Sequence, residues 1–325
     1  MANEHIISIE REARLSINTG RLEIFFVAED KKHHISVMDI AVLILANPRI
    51  QLSISVSKEL AAVGAIIIYA GDNFMPSAIT LPIGVNADGA RRPHLQAKYI
   101  NSQEQKFWWM QIIRSKIMGQ AGVLAGVDAD VSKRLADNAN YVKPGDTDNV
   151  EAVCAKIFWD AYFKHFKYPV KTREKQGAGD IINISLNYSY AIVRAVLARA
   201  LAAAGLCLNF GVGHYRKDNP FNLAEDFIEP FRFIADRNVL QVLRAGDYQT
   251  FGIKLKRELL DGMLSSTVKI QNKEYRLFNA VDFAVNSFCL SLDDPRRSLL
   301  LPNMPANRGR QPALKENTRI IYEGQ

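Results

Sequence analysis

Residues 205–236 read GLCLNFGVGHYRKDNPFNLAEDFIEPFRFIAD. An apolar run leads into a glycine-flanked histidine, His214, then a basic turn, then a helix start whose acids are set into an apolar pattern. Asn222, with Glu225 three residues on, has the form of a capping box. Asp226 and Glu229 follow at i, i+3 spacing, which projects both carboxylates from one helical face. Pro230 has no N–H to give to the Asp226 carbonyl, so a kink is expected beside the acids. A histidine aimed at two carboxylates is a usable site for a hard metal ion, provided more oxygen ligands come from elsewhere. A hydrogen-bonded structural histidine and a solvated acidic face account for the same letters. Phe227, Ile228, Phe231 and Phe233 weigh against a solvated face, because acids in that company are withdrawn from water and need partners.

The chain has 325 residues, 48% of them hydrophobic and 23% charged, enough for one large domain or two ordinary ones with a sizeable core. A net charge of +7 and a pI of about 9.2 favour an anionic partner, either nucleic acid or an acidic membrane surface. Cys154, Cys207 and Cys289 sit in apolar contexts with no C-x-x-C spacing, and read as reduced core residues of a cytoplasmic protein. The start, MANEHIISIERE, lacks the apolar centre of a signal peptide. The most apolar later stretch, 191–208, is interrupted by Arg194 and Arg199, so no membrane span is expected.

Residues 5–84 favour strands, at 6–9, 21–27, 42–45, 65–69 and 78–83, with turns at 18–20 and 29–32 and one short helix at 55–63. This predicts a small β-rich, sandwich-like domain over 1–84. His33 and His34 are adjacent, so in a strand they face opposite ways and share no metal. The glycine-bearing GVNADGA at 84–90 suggests a linker over 85–92. Beyond it the period becomes helical. Phe107, Met110, Ile113 and Ile117 form one stripe, and Leu186, Tyr190, Val193, Leu197 and Leu201 another. The expected fold class is therefore α+β in two domains, the second an all-helical catalytic domain over 93–295. Trp108 and Trp109 read as packing residues rather than base-stacking platforms. Residues 296–325, with Pro302, Pro305, Pro312 and several arginines, read as a basic tail that is flexible or ordered by a partner.

A third acid opens another helix. In GDTDNVE at 145–151, Asp148 is a candidate N-cap with Glu151 three residues later. A capping box explains that spacing. A carboxylate in the first turn beside the small Cys154 and Ala155 also suits an ion or a phosphate. The basic, glycine-bearing loop 171–180 can touch phosphates through Arg173 and Lys175. It lacks the GK[ST] ending of a P-loop, and neither G-x-G-x-x-G after a strand nor G-x-S-x-G occurs. These gaps argue against a dinucleotide or ATP cofactor and against a common serine hydrolase.

The segments LSINTGRLEIFF from Leu15, EAVCAKIFWDAYF from Glu151, DIINISLNYSYAIVRAVLARALAAAGL from Asp180 and GVGHYRKDNPFNLAEDFIEPFR from Gly211 together resemble one family. It is the CRISPR-associated adaptation integrases, the first of the CRISPR-associated proteins, in the form found beside the type II effector nuclease. The likeness runs in order from about Leu15 to about Asp293. It implies a metal site in which Glu151 is the first acid, His214 the histidine and Glu229 the last acid, with Asp226 a neighbouring acid and further candidate ligand. It implies an N-terminal β-domain, a helical C-terminal domain, homodimers, and a complex with a dimer of the small second CRISPR-associated protein. Such a complex inserts short DNA fragments, or spacers, into a CRISPR array, in some systems alongside the type II effector nuclease.

The implied chemistry is transesterification at phosphorus. A DNA 3′-hydroxyl attacks a repeat phosphodiester while Mg2+ or Mn2+ on Glu151, His214 and Glu229 polarises the phosphate. Histidine among the ligands is commoner where Mn2+ is preferred. Charge and position make Arg173, Lys175, Arg216 and Lys217 candidates for holding DNA backbone, with ordinary solvated charge as the alternative. A non-catalytic DNA-binding scaffold and a metal-dependent phosphoesterase of small molecules are the competing functions.

Overall fold

Isoleucine, valine and phenylalanine, set between turn residues, make the first part of the chain pair as strands. The computed structural model describes residues 5–70, 76–82, 87–166, 170, 172–175 and 177–304. Its first elements are β1 (His5–Ile9), β2 (Ala13–Asn18), β3 (Arg21–Phe26), β4 (Lys31–Ser36), β5 (Ile40–Leu45), β6 (Gln51–Leu52), α1 (Ile54–Ala62), β7 (Ile66–Ala70) and β8 (Pro76–Thr80). They form two four-stranded sheets, in the orders β1-β5-β7-β8 and β4-β3-β2-β6. The β2–β3 hairpin turns through Thr19 and Gly20, both at positive φ, as a two-residue turn matched to strand twist requires. β4 reads KKHHIS and buries only Ile35, so pairing with β3 rather than composition makes it a strand. His33 lies edge-on to Phe26 while His34 lies 3.8 Å from Glu23, and the two do not share a site.

The parallel strands β1, β5 and β7 are buried on both faces. Ile7, Ile9, Leu43 and Ile67 point into a core shared with the second sheet and α1. Ile6, Val42, Ile66 and Ile68 point the other way, into the core of the helices. A strand covered on both sides must be apolar at every position, and β5 reads IAVLIL. The sheet is thus a wall common to both halves of the chain.

The remaining helices are α2 (Arg91–Lys98), α3 (Gln103–Leu124), α4 (Ala129–Ala139), α5 (Val150–Tyr162), α6 (Ile181–Ala203), α7 (Asn222–Ile228), α8 (Arg232–Ala245), α9 (Ile253–Ser265) and α10 (Leu277–Asp293). Ser102 caps α3 by accepting the Gln105 N–H at 3.1 Å, and Asp180 caps α6 by accepting that of Asn183 at 2.8 Å. Leu186, Tyr190, Val193, Leu197 and Leu201 of α6 are all buried. α6 has the length and hydropathy of a membrane span, but 72% of that apolar window is buried, as suits the central helix of a packed core. Trp108 is buried edge-on between Tyr99 and Phe288, a packing residue as its sequence context suggests.

Three expectations change. The helical region is not all-helical: it carries a hairpin, β9 (Thr267–Ile270) and β10 (Lys273–Arg276), turning through Gln271 and Asn272 at positive φ. The expected linker over 85–92 is short, since 87–90 form a turn, α2 starts at Arg91, and residues 83–86 lie outside the described part. The first part of the expected tail, 296–304, is packed. The Leu299 N–H donates to Gln111 Oε1 at 2.9 Å, Ser115 Oγ donates to the Pro302 carbonyl at 2.9 Å, and Asn303 exchanges backbone hydrogen bonds with Lys269 of β9. Residues 305–325 lie outside the described part.

Candidate metal centre and phosphate-binding surface

Glu229 occupies a 3-10 turn, Glu229–Phe231, between α7 and α8. Pro230 cannot continue the α-helical ladder, and this turn replaces the simple kink read from the sequence. The tighter turn sends the two acids of the motif to different partners. Both Glu229 oxygens accept from the Arg232 guanidinium, Nε to Oε2 and Nη2 to Oε1, each at 2.9 Å. Glu229 Oε2 also lies 2.6 Å from the Lys116 ammonium, which comes from α3 and is only 8% exposed. Burial pushes the Glu229 carboxyl up, but Arg232 and Lys116 overturn that and hold it well below the usual carboxylate range. Burial pushes Lys116 down, and Glu229 and Glu151 more than restore it.

Glu151, in the first turn of α5, accepts from the same ammonium through Oε1. The capping box expected at Asp148 does not form. The chain passes through left-handed positions at Asp146 and Asn149, and Asp146 becomes the cap. Its carboxylate accepts the N–H groups of Val150 at 2.9 Å and Glu151 at 3.0 Å. Asp148 pairs instead with Lys143. The Glu151 side chain is therefore free of capping duty, is one-third exposed, and faces Lys116.

Asp226 is fully buried and organises the histidine loop. Its carboxylate accepts the backbone N–H of Val212, of Gly213 at 3.1 Å and of His214 at 2.9 Å, and His214 Nδ1 lies 2.7 Å from Oδ1. A Cβ on Gly211 would sit 2.1 Å from the His214 carbonyl oxygen, and one on Gly213 would sit 2.3 Å from the Trp109 ring, so both glycines are needed for the close approach. Trp109 meets the imidazole edge-on at 5.5 Å. The hydrogen bond to Asp226 lifts His214 above its ordinary pKa, against burial. With Nδ1 held by a carboxylate, Nε2 is the nitrogen left for a ligand, the usual orienting arrangement around metal-binding histidines. In the structure the Asp226 carboxylate is engaged by these backbone N–H groups and by the imidazole it orients. Asn222 does not cap α7. Its amide pins the loop by donating to the carbonyls of Asn209 at 3.3 Å and Arg216 at 2.9 Å, while Glu225 pairs with Arg194 of α6 at 2.9 Å.

Among the described residues, no three His, Cys, Asp or Glu side chains stand close enough together to hold an ion as they are. Glu151 and Glu229 nonetheless converge on one cation, Lys116, and His214 feels the charge of Glu229. The chemistry of this donor set fits a hard divalent ion: two carboxylates already gathered round positive charge, and an imidazole with one oriented nitrogen.

Lys116 and Arg232 contact these acids, and Lys175 lies near enough to feel Glu229, although partial burial and the charges of Arg232, Lys116 and Arg173 push its pKa down. Arg173 is held by Asn183 Oδ1 at 3.1 Å and Asn187 Oδ1 at 2.6 Å, and lies over the rings of Trp159 and Tyr190. Lys175 is exposed beside the acids. Arg216 is exposed and paired with Asp218 at 2.8 Å, and Lys217 is exposed. Behind Glu229, Arg232 stacks 4.6 Å over the Tyr190 ring, and the Tyr190 hydroxyl donates to the buried Asp236. Lys116, Arg232, Tyr190, Asp236 and Asp146 are absent from the sequence-derived site. Lys116 had one visible signal, a lysine placed between Ile112, Ile113 and Ile117 in an apolar stripe.

A family profile described as "CRISPR associated protein Cas1" matches residues 6–269. The CRISPR-associated endonuclease Cas1 of Neisseria meningitidis serogroup C (strain 8013) is 32% identical over 307 residues, 91% of this chain and 95% of that one. A casposase bound to its integration product superposes with a TM-score of 0.77 at 21% identity, covering 91% and 92% of the two chains. A CAS1 protein from Thermotoga maritima superposes at 0.73 with 12% identity, covering 90% and 98%. The chain in a Cas6-RT-Cas1–Cas2 complex superposes at 0.74 with 12% identity, covering 94% of this chain and 37% of that one.

Proposed function

The chain belongs to the CRISPR-associated Cas1 family of adaptation endonucleases and integrases, and on that premise we propose that it joins short DNA fragments to a CRISPR repeat by metal-dependent transesterification. The metal is Mg2+ or Mn2+, held by Glu151, His214 and Glu229. The observation that carries this reading is the convergence of Glu151 and Glu229 on a single buried cation, beside a histidine whose Nδ1 is fixed by Asp226. A divalent ion bound there supplies Lewis-acid polarisation of the scissile phosphate and stabilises charge on the attacking and leaving oxygens.

The protein's own residues do the rest. Asp226 sets the tautomer and direction of His214. Arg232 holds Glu229 in place by a bidentate pair, so the carboxylate stays ionised at neutral pH. Lys175, exposed and within reach of the charge of Glu229, offers a cation to a phosphodiester. In the step itself, the 3′-oxygen forms a new bond to phosphorus, the bond from phosphorus to the repeat's 3′-oxygen breaks, and one proton passes from the attacking to the leaving hydroxyl. Double-stranded DNA, a second copy of the chain and the small Cas2 protein are the partners of this reading. The N-terminal β-rich part is the surface for dimerisation and Cas2, and the setting is the prokaryotic cytoplasm. One of the superposable chains belongs to a Cas6-RT-Cas1–Cas2 complex, which supports the Cas2 partner.

The test is an insertion assay with supercoiled plasmid carrying the cognate repeat, a labelled duplex with 3′-hydroxyl ends, Mg2+ or Mn2+, and purified Cas2. Wild type should join label to plasmid, while Glu229→Ala, chelator or 3′-dideoxy ends should each reduce joining at least a hundredfold. Equal joining by Glu229→Ala would sink the site. Joining unaffected by chelator would sink the metal. Tight, salt-dependent DNA binding without any joining would favour a scaffold.

A further inference from the structure

Lys116 is a charged residue in a place built for an apolar one. It follows Ile112 and Ile113 on the inner face of α3 and is 8% exposed, yet its ammonium reaches two carboxylates that arrive from α5 and from the 3-10 turn before α8. It contacts Glu151 Oε1 and lies 2.6 Å from Glu229 Oε2. A divalent ion held by both carboxylates would need the oxygens that the ammonium nitrogen now engages. The two cations cannot occupy that place together. Glu229 has a second cation in Arg232, which takes both of its oxygens. For Glu151 the neighbouring positive charge is the Lys116 ammonium itself.

We propose that Lys116 is the resident counterion of the Glu151–Glu229 pair and that a divalent ion binds this site only by displacing it. This rests on the metal reading above. Two consequences follow. The acids stay gathered without metal, so the site is preorganised in the metal-free protein. Metal affinity is also held down, because every binding event must expel an ammonium from between two carboxylates. The ammonium is carried on a flexible four-carbon stem, so its departure requires a change of rotamer and no movement of α3.

The test measures Mn2+ binding directly, by the loss of the free-ion electron paramagnetic resonance signal, on full-length wild type, Lys116→Met, Lys116→Gln and Glu229→Ala at one pH. Displacement predicts at least tenfold tighter Mn2+ binding by both Lys116 variants and loss of binding by Glu229→Ala. Equal or weaker binding by the Lys116 variants overturns the proposal while leaving the metal site standing. No Mn2+ bound by wild type or by either Lys116 variant overturns the metal reading itself. A second measurement needs no variant. Acetylation of Lys116 in the wild-type protein, read by mass spectrometry, should rise severalfold when Mn2+ replaces chelator, and unchanged protection overturns the displacement.

Discussion

Asp236 is a carboxylic acid in the centre of the helical core, and replacing it with asparagine should change how stability depends on pH. Burial pushes its pKa up to about 7, far above the ordinary aspartate value of 3.8. It accepts from the Tyr190 hydroxyl, and its Oδ2 is buried without a partner. Because the folded-state value is the higher one, the folded protein holds a proton here that the unfolded chain has lost. Stability from this group is therefore full below about pH 4 and is lost as pH rises towards 7. Integrating between those two values, the wild type should lose about 3 kcal/mol between pH 5 and pH 8 that Asp236→Asn does not lose. For a chain of this size that is about 4 °C in midpoint. Glu229 titrates below the usual carboxylate range, so its contribution changes only in acid and leaves this window clear. His214 has a raised pKa, so its contribution is lost above its ordinary range, but it is present in both proteins and cancels in the difference. The assay is thermal unfolding of both proteins at pH 5, 6, 7 and 8 in matched ionic strength. The decisive quantity is the slope of the difference with pH, since any constant offset from the asparagine amide drops out of a slope. A flat difference would mean that Asp236 titrates as an ordinary acid, and the account of the buried polar layer behind Glu229 would fall.

Two further substitutions test the supports of the site. Asp146→Ala removes the acceptor for the N–H groups of Val150 and Glu151 and should cost about 1–2 kcal/mol, with faster hydrogen exchange at both amides. The exposed Asp148→Ala should leave the midpoint unmoved, and the reverse ranking would restore Asp148 as the cap. Gly119→Ala puts a methyl 2.6 Å from Phe233 Cδ1 where α3 crosses the start of α8. It should destabilise by about 1–3 kcal/mol despite alanine's better helix propensity, and an equal or higher unfolding midpoint would contradict the tight crossing.

Some of this was legible in the letters and some was not, for identifiable reasons. The α6 stripe from Leu186 to Leu201 was readable because a helix buried along its length must repeat apolar residues at helical spacing. β5 and β7 were readable because a sheet covered on both faces leaves no polar position. β4 was not, because KKHHIS owes its conformation to a neighbouring strand. The spacing made His214, Asp226 and Glu229 visible as one motif, but not that Asp226 pairs with His214 while Glu229 pairs with Arg232 and Lys116. That division depends on the 3-10 turn that Pro230 imposes and on cations from other elements. Asp148 fits a capping box better than Asp146 does only if the chain approaches the helix regularly, and left-handed residues at Asp146 and Asn149 shift the acceptor. Lys116 sits so well within the apolar period of α3 that its charge is easily passed over.

The packed stretch at 296–304 bears on how the protein is made. Ser115, one residue before Lys116, has its hydroxyl bonded to a carbonyl 187 positions later, and the Met304 side chain covers Gly122 at the end of the same helix. During synthesis α3 emerges long before the residues that close over it. Until then one flank of the helix that supplies Lys116 is uncovered, a contact of very high sequence separation and hence slow to form. A chain halted just short of Leu299 would contain Glu151, His214 and Glu229, yet it would lack the strap that finishes the helix facing them. Completion of this wall of the candidate site is therefore a late event in the life of the nascent chain.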